Sequence, residues 1–311
     1  MVKLFTDRRM LDHIPPARHP ERPERLQAIL RQLERTGLSK RSPEGVVREA
    51  TPAELARVHS PHYLDQVAEF ETAGGGHIEA DTWVNRGSNL AARLAAGAAI
   101  EAVACVLAGT DQRAMALVRP PGHHARPAAP MGFCLYGNVA VAAADARDRH
   151  GLERLLIVDF DVHHGNGTQE IFYADGRVAF FSIHRSPFYP GTGAAAETGT
   201  GKGLGFTRNI PVRYGTRRPD YIAAFRAGLE AMADKVRPEL VLISAGFDAH
   251  AEDPVGDLGL ETEDFDELTR IVVEIAATHS QGRIVSLLEG GYNVPILAGC
   301  VEAHLRALGA N

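Results

Sequence analysis

The sequence predicts a single α/β domain over residues 1–311, with a mostly parallel sheet flanked by helices. Three observations carry that expectation. Short continuous apolar runs alternate with helical stretches, the pattern of parallel strands buried on both faces. The 311 residues, 45% of them hydrophobic, are enough for one large domain. The reactive loops are spread from residue 123 to residue 292, so two domains would separate groups that have to meet.

Along the chain, helical periodicity predicts a helix over 22–36 and a second over 89–108. The second is the most lipid-like stretch, yet Arg93 and Glu101 fall inside it, and a membrane span tolerates such charges poorly. It therefore reads as a buried helix, with Ser88 as its N-cap. A strand at 114–118 follows, then a helix at 139–150, strands at 155–160 and 178–183, and a helix at 219–235. A strand at 240–244, a helix at 263–277 and a strand at 284–288 complete the alternation. Residues 70–86 and 186–208 are rich in Gly and polar residues and break it; loops this long usually form the rim of a pocket.

The net charge of -6 and the pI near 6.2 provide no global field for nucleic acid or for an anionic membrane. Cys105, Cys134 and Cys300 form no C-x-x-C pair, which argues against a disulfide framework and fits a reducing, cytoplasmic setting. Residues 1–16 carry charges and a Pro-Pro pair, unlike a secretory signal.

Four apolar runs lead straight into loops of reactive residues. In a parallel sheet the carboxyl ends of the strands share one edge, and ligands bind there. The strongest signal is Asp159-Phe-Asp161-Val-His163-His-Gly-Asn166-Gly-Thr. In extended chain, residues i, i+2 and i+4 point the same way, so Asp159, Asp161 and His163 project together. Alone, D-x-D-x-H is as often a surface turn; the apolar strand before it and the glycines after it favour a site. Two carboxylates and an imidazole are costly together unless a cation neutralises them, and nitrogen and oxygen donors suit Zn²⁺ or Fe²⁺. Asp248, after the 240–244 strand, completes a set of two carboxylates and one imidazole with a free position, as catalytic zinc sites have. His123 and His124, at the tip of another strand, can handle the protons of a hydrolysis, with Asp159 orienting one of them. Tyr292, past two glycines, can donate to an oxyanion. Together these describe metal-assisted hydrolysis.

Two other patterns fail. Gly191-Thr-Gly193-Ala-Ala-Ala196 imitates a dinucleotide fingerprint without the leading strand, and Gly201-Lys202 lacks the rest of a phosphate loop. His13, His19, His59, His62, His77, His150, His250, His279 and His304 have no such support and read as structural or solvated.

With these residues in place the chain resembles the zinc-dependent histone deacetylase superfamily, which includes acetylpolyamine amidohydrolases and acetoin-utilisation proteins. The resemblance runs nearly end to end. It includes His19-Pro-Glu-Arg-Pro-Glu-Arg25-Leu, Pro120-Pro-Gly-His-His-Ala125, Gly132-Phe-Cys, the Asp159–Thr168 segment, Tyr189-Pro-Gly-Thr-Gly, Gly246-Phe-Asp-Ala and Leu288-Glu-Gly-Gly-Tyr292. It implies an eight-stranded parallel sheet similar to arginase, with Asp161, His163 and Asp248 on zinc and Tyr292 polarising an acyl carbonyl. It pairs His123 with Asp159 and His124 with Asn166. Phe133, beside Gly132, would form one wall of an acyl-lysine tunnel and Tyr189 the other, where many relatives have Phe. Asp81 would sit at the tunnel mouth, and Val255 at a rim position that is acidic in one polyamine-selective branch. It further implies potassium at Asp159, Asp161, His163, Ser182 and Ile183, and a second potassium at Phe172, Asp175 and Val178. The expected substrate is an acylated lysine in a peptide or protein, or an acylated polyamine or other small amine. The oligomeric state stays open, a homo-oligomer included.

Overall fold

A computed structural model describes residues 1–310. Nine strands form: β1 (Val2–Phe5), β2 (Gly76–His77), β3 (Trp83–Val84), β4 (Arg113–Ala116), β5 (Leu155–Asp159), β6 (Val178–Arg185), β7 (Thr207–Val212), β8 (Leu240–Ala245) and β9 (Ile284–Leu288). Seven of them build one wholly parallel sheet in the order β1-β4-β9-β8-β5-β6-β7. Strands β5, β8 and β9 are buried at every residue, as helices on both faces require. Helix Ser88–Leu107 packs on Asn138–Asp148, while Pro23–Arg35, Val294–Ala307, Thr262–His279 and Arg218–Val236 form a second continuous helical layer.

The sheet has seven strands where eight were expected. At the eighth position, beside β1, there is only a single parallel bridge between Leu4 and Glu44. Leu4 donates to Pro43 O at 2.9 Å and accepts from Gly45 N at 2.7 Å. Pro43 has no N–H to extend a ladder. The two long irregular stretches also hold more regular structure than expected. Strands β2 and β3 pair as a small antiparallel ribbon within 70–86, and β7 begins inside 186–208.

The most apolar helix, Ser88–Leu107, is long and apolar enough to cross a membrane, but it is mostly buried against β1, β4, β9 and the helix that follows β4. Its two charges are paired, Arg93 with Glu49 at 2.7 Å and Glu101 with Arg48 at 2.7 Å. Ser88 is not its cap. The Glu71 carboxylate accepts from Gly87 N at 2.8 Å and Asn89 N at 3.0 Å, satisfying the free donors at the helix start from the end of helix Pro61–Thr72.

Candidate active site

Four neighbouring strands, in the order β4-β9-β8-β5, present their carboxyl ends side by side. The loop after β4 carries His123 and His124, that after β9 carries Tyr292, and that after β8 carries Asp248. Strand β5 ends in Asp159 and runs on into Asp161 and His163.

Asp161, His163 and Asp248 are buried and offer one donor atom each, all within 4.8 Å of one another. His163 Nδ1 lies 3.0 Å from Asp161 Oδ1 and 3.1 Å from Asp248 Oδ2. The other carboxylate oxygens are held by backbone donors, Asp161 Oδ2 by Gly290 N at 2.9 Å and Asp248 Oδ1 by Val162 N at 2.9 Å. Position 290 has no room for a side chain, because a Cβ there would come 2.2 Å from Asp248 Oδ2 and 2.5 Å from Asp161 Oδ2. The electrostatics are unbalanced without a cation. Burial and the adjacent Asp161 raise the Asp248 carboxyl, while burial of Asp161 is outweighed by His123 and His163, which lower it. Two buried carboxylates and an imidazole that converge in this way fit a divalent cation of borderline hardness.

The two histidines are set differently. His123 Nδ1 donates to Asp159 Oδ2 at 3.0 Å, and its Nε2 lies 3.8 Å from Asp161 Oδ1. Burial resists charging it, but Asp161 and Asp159 outweigh burial and raise it to about 10. His124 Nδ1 donates to Asn166 Oδ1 at 2.7 Å. Burial, then the positive His123 and His163, keep His124 well below the usual histidine range. Two rings only 4.0 Å apart, tilted at 43°, thus meet different Nδ1 acceptors, a carboxylate and an amide, and shift in opposite directions.

A cavity of about 270 Å³ opens onto this cluster, lined by Asp81, His124, Gly132, Phe133, His163, Phe188, Tyr189, Val255 and Tyr292. Every position expected at the tunnel is therefore on its wall. Tyr189 stands edge-on to His124 at 5.3 Å, and Phe133 edge-on to Tyr292 at 5.7 Å. Gly132 has φ +56, and a Cβ there would fall 2.3 Å from the His124 ring. Phe133 adopts φ 68, a left-handed conformation that a bulky residue holds only under constraint. The constraint comes from the rim: Asp81 Oδ1 accepts from Gly132 N at 3.1 Å, and Thr82 Oγ1 accepts from Phe133 N at 3.1 Å. His19, taken from sequence as uncommitted, packs edge-on against Phe133 at 4.7 Å.

The residues expected at the first potassium lie around the same strand ends, and those expected at the second lie at the opposite, amino end of β6. Asp159 on β5 is in register with Ser182 on β6, next to Ile183, and Ser182 Oγ is 2.9 Å from His184 Nδ1. Phe172, Asp175 and Val178 span the turn into β6, where Asp175 N donates to Phe172 O at 3.0 Å. The Asp175 carboxylate is already taken by Arg147 Nη1 at 2.6 Å and Arg177 N at 2.8 Å.

Sequence reasoning missed the polar layer beneath the cavity. Arg25, fully buried, donates to Gly291 O at 2.6 Å and Glu289 O at 2.5 Å, and lies 4.9 Å over the Tyr292 ring. Glu21 pairs with Arg119 at 2.6 Å and with Arg25 at 3.2 Å. Glu289 Oε2 accepts from Gly122 N at 2.7 Å and His123 N at 3.2 Å, tying the His-His loop to the Tyr292 loop. Asp253 Oδ2 accepts from Tyr292 N at 2.6 Å and Asn293 N at 3.2 Å. The only signal for these was their place inside charged runs such as Glu21–Arg25 and beside the glycines at 290 and 291.

Reactive loops gathered at the carboxyl edge of a parallel sheet are the architecture of an α/β enzyme domain. Residues 19–308 match the histone deacetylase domain, and the chain belongs to the histone deacetylase family. It is 44% identical over 301 residues to polyamine deacetylase HDAC10 of Homo sapiens, covering 93% of this chain and 44% of that protein. It therefore spans less than half of that relative. A histone deacetylase-like amidohydrolase of Pseudomonas aeruginosa is 39% identical over 297 residues, covering 94% of this chain and 78% of that one. The crystal structure of the HDA15 HD domain superposes with a TM-score of 0.93 at 38% identity, covering 100% of this chain and 90% of the other.

Proposed function

We propose that the protein is a metal-dependent amidohydrolase that removes an acetyl or other short acyl group from a primary amine at the end of an alkyl chain. The observation that carries this reading is the convergence at one cavity of three donors able to hold a cation, two histidines with different Nδ1 partners, and a tyrosine. Asp161, His163 and Asp248 would hold the ion, with Zn²⁺ the first choice for this donor set and Fe²⁺ the second. Once bound, such an ion supplies Lewis-acid polarisation of the acyl oxygen and acidifies water.

The chain's own residues do the rest. Phe133 and Tyr189 line the slot for an alkyl stem and exclude solvent from it. His124, neutral at Nε2 because Nδ1 is committed to Asn166, takes the proton of the attacking water and returns it to the departing amine. His123, charged through Asp159, stabilises the negative charge that develops. The Tyr292 hydroxyl, kept protonated by burial, donates to the oxyanion.

The test is turnover of an acetyl-lysine peptide by the metal-loaded protein, with His124→Ala and Tyr292→Phe alongside. Loss of activity in both variants supports the reading; full activity in both rejects it. A second reading, the same chemistry on acetylated polyamines or other small amines, is favoured by the similarity to the human polyamine deacetylase. Against it, Val255 presents no charge at the rim. Comparison of kcat/KM between acetyl-peptides and acetylated diamines separates the two.

A further inference from the structure

Arg185, the last residue of β6, stands outside the cavity but touches two of its walls. Its guanidinium carbon lies 4.2 Å over the Phe188 ring and 4.7 Å over the Tyr214 ring, so it is stacked between two aromatics. The inner aromatic, Phe188, is in turn stacked on His163 at 5.2 Å with an interplanar angle of 17°. From the same position Arg185 Nη1 donates to Gly256 O at 2.8 Å and Asp257 O at 3.0 Å. Those carbonyls close the short loop that carries Val255. Tyr214 O–H reaches the same loop, donating to Asp257 Oδ2 at 3.3 Å. One guanidinium therefore links the Phe188–Tyr189 wall to the Val255 wall, and it presses Phe188 flat against a proposed metal ligand.

We infer that Arg185 is a positioning residue that sets the bore of the tunnel, and so the fit of the alkyl stem. The inference rests on the proposed amidohydrolase reading and adds to it the residue that governs substrate fit. A planar fork suits the role, because it stacks on two rings while donating in its own plane; an ammonium cannot do both. The tyrosine loop has anchors of its own, Arg25 on Gly291 O at 2.6 Å and on Glu289 O at 2.5 Å, besides the Asp253 carboxylate that it shares with Val255 N and Gly256 N. Loss of Arg185 loosens the walls and leaves the oxyanion donor in place.

The experiment compares wild type, Arg185→Ala and Arg185→Lys in two measurements. The first is kcat and KM on an acetyl-lysine peptide with the metal-loaded protein. The second is the Kd of a fluorescently labelled ketone isostere of Nε-acetyl-lysine on metal-stripped protein. Arg185→Ala is expected to raise both KM and Kd at least tenfold with kcat within threefold, and Arg185→Lys to fall between. KM and Kd within twofold of wild type, or a fall in kcat at unchanged KM, overturns the inference. If Arg185→Ala does not fold, Arg185→Lys decides by the same criteria at a threefold threshold. Failure of the wild type to turn over the peptide or bind the isostere would instead count against the amidohydrolase reading.

Discussion

At the scale of single residues, the site is a set of protonation states fixed by neighbours. His123 and His124 differ in their Nδ1 partners, Asp159 against Asn166, and in their surroundings, where carboxylates raise His123 while burial and two neighbouring imidazoles lower His124. Asn166→Asp would place a carboxylate 2.7 Å from His124 Nδ1 and raise the pKa of that ring. A base must be deprotonated to act, so the acid limb of the kcat/KM profile is expected to move to higher pH by about one unit. An unmoved limb would remove His124 from the role of base. Tyr292→Phe is expected to lower kcat by roughly 100-fold, the usual cost of losing one oxyanion donor of about 3 kcal/mol, with KM little changed. Asp253→Asn acts one step further out, since the carboxylate holds Tyr292 N at 2.6 Å. It is expected to lower kcat about tenfold through a misplaced tyrosine, on the order of one charge-assisted hydrogen bond. The residues proposed to do chemistry were legible because each follows an apolar run. The roles of Arg25, Glu21 and Glu289 were not, because their partners lie up to 266 residues away and their place in the shared motifs does not reveal those partners.

At the scale of elements, the central strands and the five helices expected from periodicity fell within a few residues of their places, while helices Pro61–Thr72 and Val294–Ala307 were not foreseen. The edges of the sheet were not foreseen either. Strand β1 has four residues, and β7 alternates buried and exposed positions around Pro211, so neither forms the apolar run that betrays an inner strand. The start of helix Ser88–Leu107 shows the same limit. Capping rules look to the residue at the helix start, but here Glu71 reaches in from another helix. Glu71→Ala is expected to cost about 1 kcal/mol and lower Tm by roughly 2–3 °C, read by calorimetry. Ser88→Ala tests a separate function, because Ser88 Oγ is 2.8 Å from the buried His13 Nδ1 and not on the helix donors.

At the scale of the whole molecule, buried histidines couple folding to pH. Burial lowers His13 and His59 to about 4, and His184 and His304 to about 3. An unfolded histidine titrates near 6.5, so the unfolded chain takes up protons that the fold refuses. The stability these groups confer is complete above pH 6.5 and is lost as pH falls toward 4. Glu21, where Arg119, His13 and Arg25 overcome the effect of burial, is lowered to about 2 and adds a further loss below pH 4.5. His123 and His163, raised to about 10, act in the opposite sense: their contribution is complete below 6.5 and declines as pH rises toward 10. In metal-free protein the urea midpoint is therefore expected to peak near neutrality. The unfolding free energy behind it should fall between pH 6 and pH 5 by about 1 kcal/mol for each lowered histidine. A midpoint that stays level over that interval would contradict the assignment.

The order of strands in space differs from their order in the chain, and this bears on how the molecule comes into being. Strands β4 and β5 are made early, yet β8 and β9 must slot between them. A nascent polypeptide emerging from the ribosome holds both histidine-bearing segments long before it has the pieces that join them. Until the last of these arrives, at Ile284–Leu288, nothing joins β8 to β4, and His123 and His124 have no fixed place beside the triad. The proposed site is therefore incomplete until residues 284–292 have been made.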